Sequence, residues 1–243
     1  MKLLCNRNLA SLAVTGALAL VTHTAQANLI DLGVVDLNGT GLGAVNTLLT
    51  ITSPANSSDE NGSVSWNGAA DVISGSQVLT GSSQTRTRVL GDVGVLSATD
   101  LRFVFNASEP GNAENGITLN TLTFAAYTPT GVNIFNGSLA APITYASTST
   151  GVGNSGVVFG LDVLQATAFQ TAVTASGVSF SSIIAGLSAS ASNATGGLET
   201  FFIGSATGDG LVPPTSVVPE PQTYALLLAG LGAVGFVAKR RRN

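Results

Sequence analysis

Ile117–Tyr127, ITLNTLTFAAY, is the stretch whose reading decides the fold. It is rich in β-branched and aromatic residues and holds neither Gly nor Pro. A period of two places Ile117, Leu119, Thr121, Thr123, Ala125 and Tyr127 on one side, with Leu122 and Phe124 opposite, which reads as a β-strand. Asn115-Gly116 stands before it and Asn136-Gly137 after it, dipeptides that accept the positive φ of tight hairpin turns.

The same grammar extends in both directions. Asn-Gly recurs at Asn38-Gly39, Asn61-Gly62 and Asn67-Gly68. Upstream, short apolar or alternating runs fall at Ser63–Trp66, Ala70–Leu79, Thr85–Leu90 and Leu101–Asn106. Downstream they fall at Val132–Phe135, Ile143–Ala146, Gly156–Leu161, Ile183–Ser190 and Glu199–Ile203. In Leu101–Phe105 the side chains of Leu101, Phe103 and Phe105 share one face. About ten short strands separated by turns predict a mainly β domain, an antiparallel β-sandwich of jelly-roll type. One stretch departs from the pattern. Asp162–Ser176 sets Val163, Ala166, Phe169, Ala172 and Val173 at helical spacing, with Asp162 as N-cap, Gln165 as its reciprocal partner and Gly177 just past the end. A single short helix is therefore expected on the edge of the sandwich.

The two ends read differently. Lys2 and Arg7 precede the apolar run Leu9–Val21, and Ala25-Gln26-Ala27 follows as a small-residue cleavage site, which makes residues 1–27 a signal peptide and Asn28 the new N-terminus. At the other end, Pro213-Pro214 marks 211–218 as a spacer between an exported domain, 28–210, and the tail, 219–243. The tail runs Pro219-Glu220-Pro221, then the apolar stretch Tyr224–Ala238, then Lys239, Arg240, Arg241 and Arg242. An apolar segment closed by cations is a stop-transfer element, and its shortness fits a thin bilayer or snorkelling arginines.

That order of motif, short helix and arginine cluster resembles the PEP-CTERM protein-sorting signal of Gram-negative bacteria. The resemblance implies that Pro219, Glu220 and Pro221 are read by an exosortase, a membrane enzyme, and that they are acted upon rather than catalytic. It also implies export through the Sec translocon and transient anchoring in the inner membrane by the tail as a single transmembrane helix. Delivery to the cell surface or extracellular matrix, alongside exopolysaccharide and biofilm formation, would follow. Gln84–Leu90, Ala98–Gly111, Gly153–Asp162 and Gly186–Phe202 are similar to stretches that recur in other proteins with such tails, and imply no activity.

Composition narrows the chemistry. His23, Met1 and Cys5 are the single residues of their types, and both lysines, Lys2 and Lys239, lie in the end segments. The domain between therefore has no Ser–His–Asp triad, cysteine nucleophile, His- or Cys-ligated zinc, Schiff-base lysine or disulfide. Its cations are Arg86, Arg88 and Arg102, against a large excess of Asp and Glu. That balance disfavours nucleic acid and anionic lipid as partners.

Several residue groups remain as candidates. Glu109, Asn112, Glu114 and Asn115 lie in one loop, EPGNAENG, whose side-chain oxygens among glycines suit Ca²⁺. A solvated turn is the competing reading there and at Asp59-Glu60-Asn61. Asp36–Gly41 opens like an EF-hand loop, but Thr47 occupies the position of the bidentate Glu. Carboxylate-pair hydrolysis is still permitted by Asp71, Asp92, Asp100, Glu109, Glu114, Asp162 and Glu199, yet no motif selects two of them. Trp66 is expected to pack on a strand face rather than hold a sugar. Arg86 and Arg88, two apart, are expected on one strand face. The expectation is a non-enzymatic, cofactor-free exported protein with a structural or adhesive role. A carbohydrate- or Ca²⁺-dependent binding module is the alternative, and a carboxylate-dependent glycoside hydrolase the third reading.

Overall fold

The computed structural model of the protein describes residues 28–36, 45–53, 57–81, 83–107, 116–145, 155–194 and 197–207. The strands are β1 (Asn28–Asp36), β2 (Asn46–Thr52), β3 (Glu60–Trp66), β4 (Asp71–Ser74), β5 (Arg88–Val89) and β6 (Leu101–Ala107). They continue as β7 (Ile117–Tyr127), β8 (Asn133–Leu139), β9 (Ile143–Tyr145), β10 (Ser155–Leu161), β11 (Ile184–Ser192) and β12 (Leu198–Ser205). Helix α1 (Val163–Ser176) connects β10 to β11. All twelve strands belong to one sheet, in the order β2-β12-β6-β10-β1-β8-β7-β11-β3-β4, with β5 beside β11 and β9 beside β7.

The mainly β reading with one helix stands, but the two-sheet jelly roll is corrected to one sheet curled on itself. The curl brings edge strand β2 against β3. A Cβ at Gly62 would lie 2.7 Å from Ile51 Cγ2, so glycine is what lets the layers meet there. Residues 77–79 pair with β2 through Thr52 N–H to Gln77 O (3.0 Å) and Leu79 N–H to Thr50 O (3.0 Å). The run Ala70–Leu79 is therefore not one strand: it pairs with β3 as far as Ser74, turns at Gly75, and then changes partner. Thr85–Leu90 likewise shrinks to the two residues of β5.

Two further strands, β1 and β2, escape the sequence reading for physical reasons. The centre of β2, Thr47–Ile51, is buried on both faces and shows no alternation. In β1 the register with β10 shifts between Asp31 and Gly33, leaving Leu32 as an extra residue. Gly33 takes φ +108° there, and its N–H donates to Asp31 Oδ1 at 2.7 Å. β1 occupies the middle of the sheet. It runs antiparallel to β10 from Leu29↔Leu161 to Asp36↔Ser155, and parallel to β8 at Asn28↔Ser138 and Leu29↔Leu139. That parallel pair is the second departure from an all-antiparallel design.

β7 has the predicted limits but not the predicted faces. Its register against β11 jumps from Thr121↔Ser190 to Leu119↔Ala191, so Asn120 bulges and the phase reverses. Ile117 and Leu119 point inward before the bulge; Leu122, Phe124 and Ala126 point inward after it. In β6, Leu101, Phe103 and Phe105 are buried together as expected, while Val104 joins Val158 and Phe202 in a smaller cluster.

The main core is built on phenylalanine. Phe103, Phe105, Phe124, Phe159, Phe169 and Phe201 are fully buried. Phe105 stacks on Phe201 at 4.9 Å, Phe103 meets Phe124 at 5.1 Å, and Phe169 of α1 packs edge-on to Phe124 at 5.4 Å. Asp162 caps α1, its Oδ1 accepting from Gln165 N at 2.7 Å, and Gly177 ends it at φ +70°. Ala166, Phe169 and Val173 form the buried stripe, but Val163, expected with them, faces out. The C-terminal end of β12 is latched by Asp100. Its Oδ2 accepts from Ser205 Oγ (2.7 Å) and its Oδ1 from Thr207 N (3.0 Å) and Thr207 Oγ1 (3.1 Å).

Two predictions follow from this packing. Phe169→Ala removes the ring through which the helix enters the core and is expected to cost about 3–5 kcal/mol in chemical denaturation; a loss under 1 kcal/mol would mean α1 packs without it. For Asp100, burial opposes ionisation, but the hydrogen bonds from Ser205 and Thr207 and the nearby Arg102 outweigh it and hold the carboxyl below its usual range. A folded value below the unfolded one gives stability that is present above the ordinary carboxylate pKa and lost as pH falls through the folded value. Asp100→Asn should therefore lower the thermal midpoint at pH 7, and the gap to the parent should close as pH falls below about 4. A gap independent of pH would show that the charge contributes nothing.

Candidate functional site

Alternation turns Leu122 and Phe124 of β7, Leu187 and Ala189 of β11, and Gly62 and Val64 of β3 inward and leaves small polar side chains outside. The outward set is Thr121 and Thr123 on β7, Ser188 and Ser190 on β11, and Asn61, Ser63 and Ser65 on β3. Register aligns them. Ser138, Thr123, Ser188, Ser63 and Ser74 form one row across β8, β7, β11, β3 and β4. A second row holds Thr121, Ser190 and Asn61, and beyond the bulge Thr144, Thr118 and Ser192 form a third. Neighbouring strands stand about 4.8 Å apart and successive rows about 6.8 Å, so the hydroxyls make a two-dimensional lattice.

Adjacent members bond to each other: Thr123 to Ser138 at 3.0 Å, Thr121 to Ser190 at 2.7 Å, and Thr118 to Thr144 at 2.8 Å. One bond per pair still leaves acceptor lone pairs on each oxygen and one proton per pair to give. Every residue in these rows is uncharged, although the domain around them is acidic. Such a face can exchange hydrogen bonds with a neutral polar partner. It holds no group that would activate a nucleophile or donate a proton to a leaving group.

The residues singled out from sequence are dispersed. Asn28 is the first residue of β1. Ala25, Ala27, the Pro219-Glu220-Pro221 motif, the Lys239–Arg242 cluster and the loop residues Glu109, Asn112, Glu114 and Asn115 lie outside the described residues. Asp59-Glu60-Asn61 is not one cluster, because strand alternation turns Glu60 inward, only 1% exposed, while Asp59 and Asn61 face solvent. Glu60 Oε1 accepts from Ser53 Oγ at 2.6 Å. Among the described residues no three His, Cys, Asp or Glu side chains converge as a metal site.

The candidate carboxylates have separate duties. Asp71 accepts from Thr87 N (3.2 Å), Asp100 latches β12, Asp162 caps α1, Asp92 is exposed and Glu199 is fully buried. Arg86 and Arg88 do not share a strand face. Arg86 precedes β5 and is exposed, whereas half-buried Arg88 donates Nε–H to Thr47 O at 2.8 Å. Burial, then the charge of Arg86, lowers the Arg88 pKa. Trp66 donates its indole N–H to Pro129 O at 2.9 Å, which ties the ring to the turn after β7.

The sequence held a partial signal for the hydroxyl face: serines at 188, 190 and 192, at 63 and 65, and threonines at 121 and 123 repeat with a period of two. Cross-strand register, which turns those stripes into rows, was not readable. Among the described residues no helix is long and apolar enough to cross a membrane.

No curated protein and no solved structure matches the chain. The C-terminal segment does find a counterpart. Residues 217–242, which contain Pro219-Glu220-Pro221, the apolar stretch and the basic cluster, match the PEP-CTERM protein-sorting motif, and the chain therefore carries the mark of a protein exported and sorted by an exosortase-type system.

Proposed function

We propose that the protein is a non-enzymatic component of the cell surface or extracellular matrix, with a structural or adhesive role among exopolysaccharide and biofilm. The PEP-CTERM motif at 217–242 is the observation that carries the sorting half of this reading. In it, residues 1–27 direct the chain to the Sec translocon and leave Asn28 as the new N-terminus. The tail then anchors the protein in the inner membrane until the exosortase acts near Pro219–Pro221. Intact mass and fractionation from the native host, with and without the exosortase, test this. A chain ending near Pro219–Pro221 in the medium or outer surface is expected with the enzyme. An unprocessed chain that keeps its Arg240–Arg242 cluster, in the inner membrane of both strains, would overturn it.

The neutral hydroxyl lattice on β8-β7-β11-β3-β4 supports the adhesive half, because a neutral polyhydroxyl chain presents the same donor and acceptor chemistry. It also favours the second reading, a carbohydrate-binding module. Ser188→Glu places charge in the centre of the lattice at an exposed position, where folding stability should change by about 0.5 kcal/mol or less. Retention on the host's neutral polysaccharide is expected to fall about tenfold, a loss of about 1.4 kcal/mol. Unchanged retention in that variant, combined with loss on chelation in the parent, would move binding to a Ca²⁺-dependent loop instead.

A further inference from the structure

A groove of about 530 Å³ runs along α1, between the helix and residues 97–99. Its lining includes Ala98, Ala166, Ala175 and the threonines 167, 171 and 174. Those threonines are less polar here than their type implies. Thr167 Oγ1 donates to Val163 O at 2.8 Å, Thr171 Oγ1 to Thr167 O at 2.8 Å, and Thr174 Oγ1 to Gln170 O at 2.9 Å. Each hydroxyl is turned back onto its own helix, which leaves the γ-methyl as the unbonded branch. The groove is therefore lined mainly by methyl groups, with the Gln170 amide and the mutually bonded Ser97 and Thr99 hydroxyls (3.1 Å) as its other polar groups, and no carboxylate or cation among its lining residues. Large apolar side chains flank it: Val163, one helical turn before Thr167, is 78% exposed, and Leu96, next to Ser97, is 71% exposed.

The place where the domain ends says what covers this channel. Asp100, next in sequence to groove residue Thr99, holds Thr207 by its backbone N–H and its hydroxyl, so the C-terminal segment leaves the domain beside the groove wall. Three residues, Gly208-Asp209-Gly210, separate Thr207 from Leu211-Val212-Pro213-Pro214-Thr215. Three residues reach about 10 Å when extended. The groove-lining length of α1, from Ala166 to Ala175, spans about 14 Å at 1.5 Å per residue. A polyproline-type segment rises about 3.1 Å per residue, so four or five residues cover it. Two prolines bring no N–H that an apolar channel would leave unsatisfied, and Leu211 and Val212 supply the apolar surface.

We propose that this groove is the docking site of the chain's own segment Leu211–Thr215, which straps the spacer to the domain. Only Ser216–Val218 then separates the strap from Pro219. Docking so holds the Pro-Glu-Pro motif close to the domain, and release of the strap extends its reach. The docking stands on groove and chain length; its consequence for sorting rests on the exosortase reading above.

Cys5 is the single cysteine, so the full chain with Cys5→Ser offers a background free of thiols. In it, Thr171→Cys paired with Val212→Cys should lose both thiols under mild oxidation, read as an intramolecular disulfide by alkylation and intact mass. Ser188→Cys with Val212→Cys, on the outward face of β11, is the control and should stay reduced. Equal oxidation of the two pairs, or disulfide-linked dimers in place of the internal bond, would overturn the proposal. Thr171→Arg, at an exposed position that leaves the core intact, should make thermolysin cleavage within 211–218 about tenfold faster while the folded domain stays resistant. An unchanged cleavage rate would count against the strap. None of these readouts requires the exosortase, so failure of docking and failure of the sorting reading are separable.

Discussion

The aromatic core is the interaction on which everything else depends. The domain has no cysteine to cross-link it, and its three arginines are far outnumbered by acids. Covalent staples and extensive ion-pair networks are thus unavailable to hold it. Six fully buried phenylalanines from β6, β7, β10, β12 and α1 fill the space enclosed by the curled sheet. Each buried ring removes a large apolar area from water, and Phe103, Phe105, Phe124, Phe169 and Phe201 add ring–ring contacts. With that interior in place, the outside can be built from Ser, Thr, Asn, Ala and Gly, residues that contribute little burial of their own.

Curling a single sheet sets a second constraint, because some strand must join its two halves. That strand is β1, between β10 and β8. Its first two residues, Asn28 and Leu29, pair with Ser138 and Leu139, and Leu29 also pairs with Leu161 and is buried. β12, which ends at the Asp100 latch, lies three places away on the same sheet. The start of β1 and the end of β12 point to one end of the sheet, since β1 is antiparallel to β10, β10 to β6 and β6 to β12. The exit of the C-terminal segment, the α1 groove and the hydroxyl lattice are in this way all placed by one sheet topology.

What was legible followed from local physics. The ends of α1 were readable because Asp162 and Gly177 meet requirements of the helix termini that no distant residue can supply. The start of β7 was readable from the glycine turn signal, Gly116 taking φ +56°, and the shared face of Leu101, Phe103 and Phe105 from simple alternation. Asn136-Gly137, read as the turn after β7, instead lies inside β8, and the chain turns at Thr128–Gly131. The faces of β7 were misread because the bulge at Asn120 is set by register with β11, a partner some seventy residues away. β1 failed for a similar reason at Leu32, and β2 because burial from both sides erases the period of two.

For function the division runs along the same line. The sequence by itself determined the sorting signal, since a Pro-Glu-Pro motif, an apolar run and a basic cluster are recognised in linear order. It also excluded whole classes of chemistry by lacking the residues that perform them. The tertiary structure decided where the polar surface lies. Hydroxyls about 65 residues apart (Thr123 and Ser188) or 125 apart (Ser63 and Ser188) become neighbours only when strands β3, β7 and β11 align, and hydrogen-bond register is a property of pairs of strands. It also decided that residues 97–99 pack beside α1, so that three threonines whose hydroxyls bond their own i−4 carbonyls present their methyls to a groove.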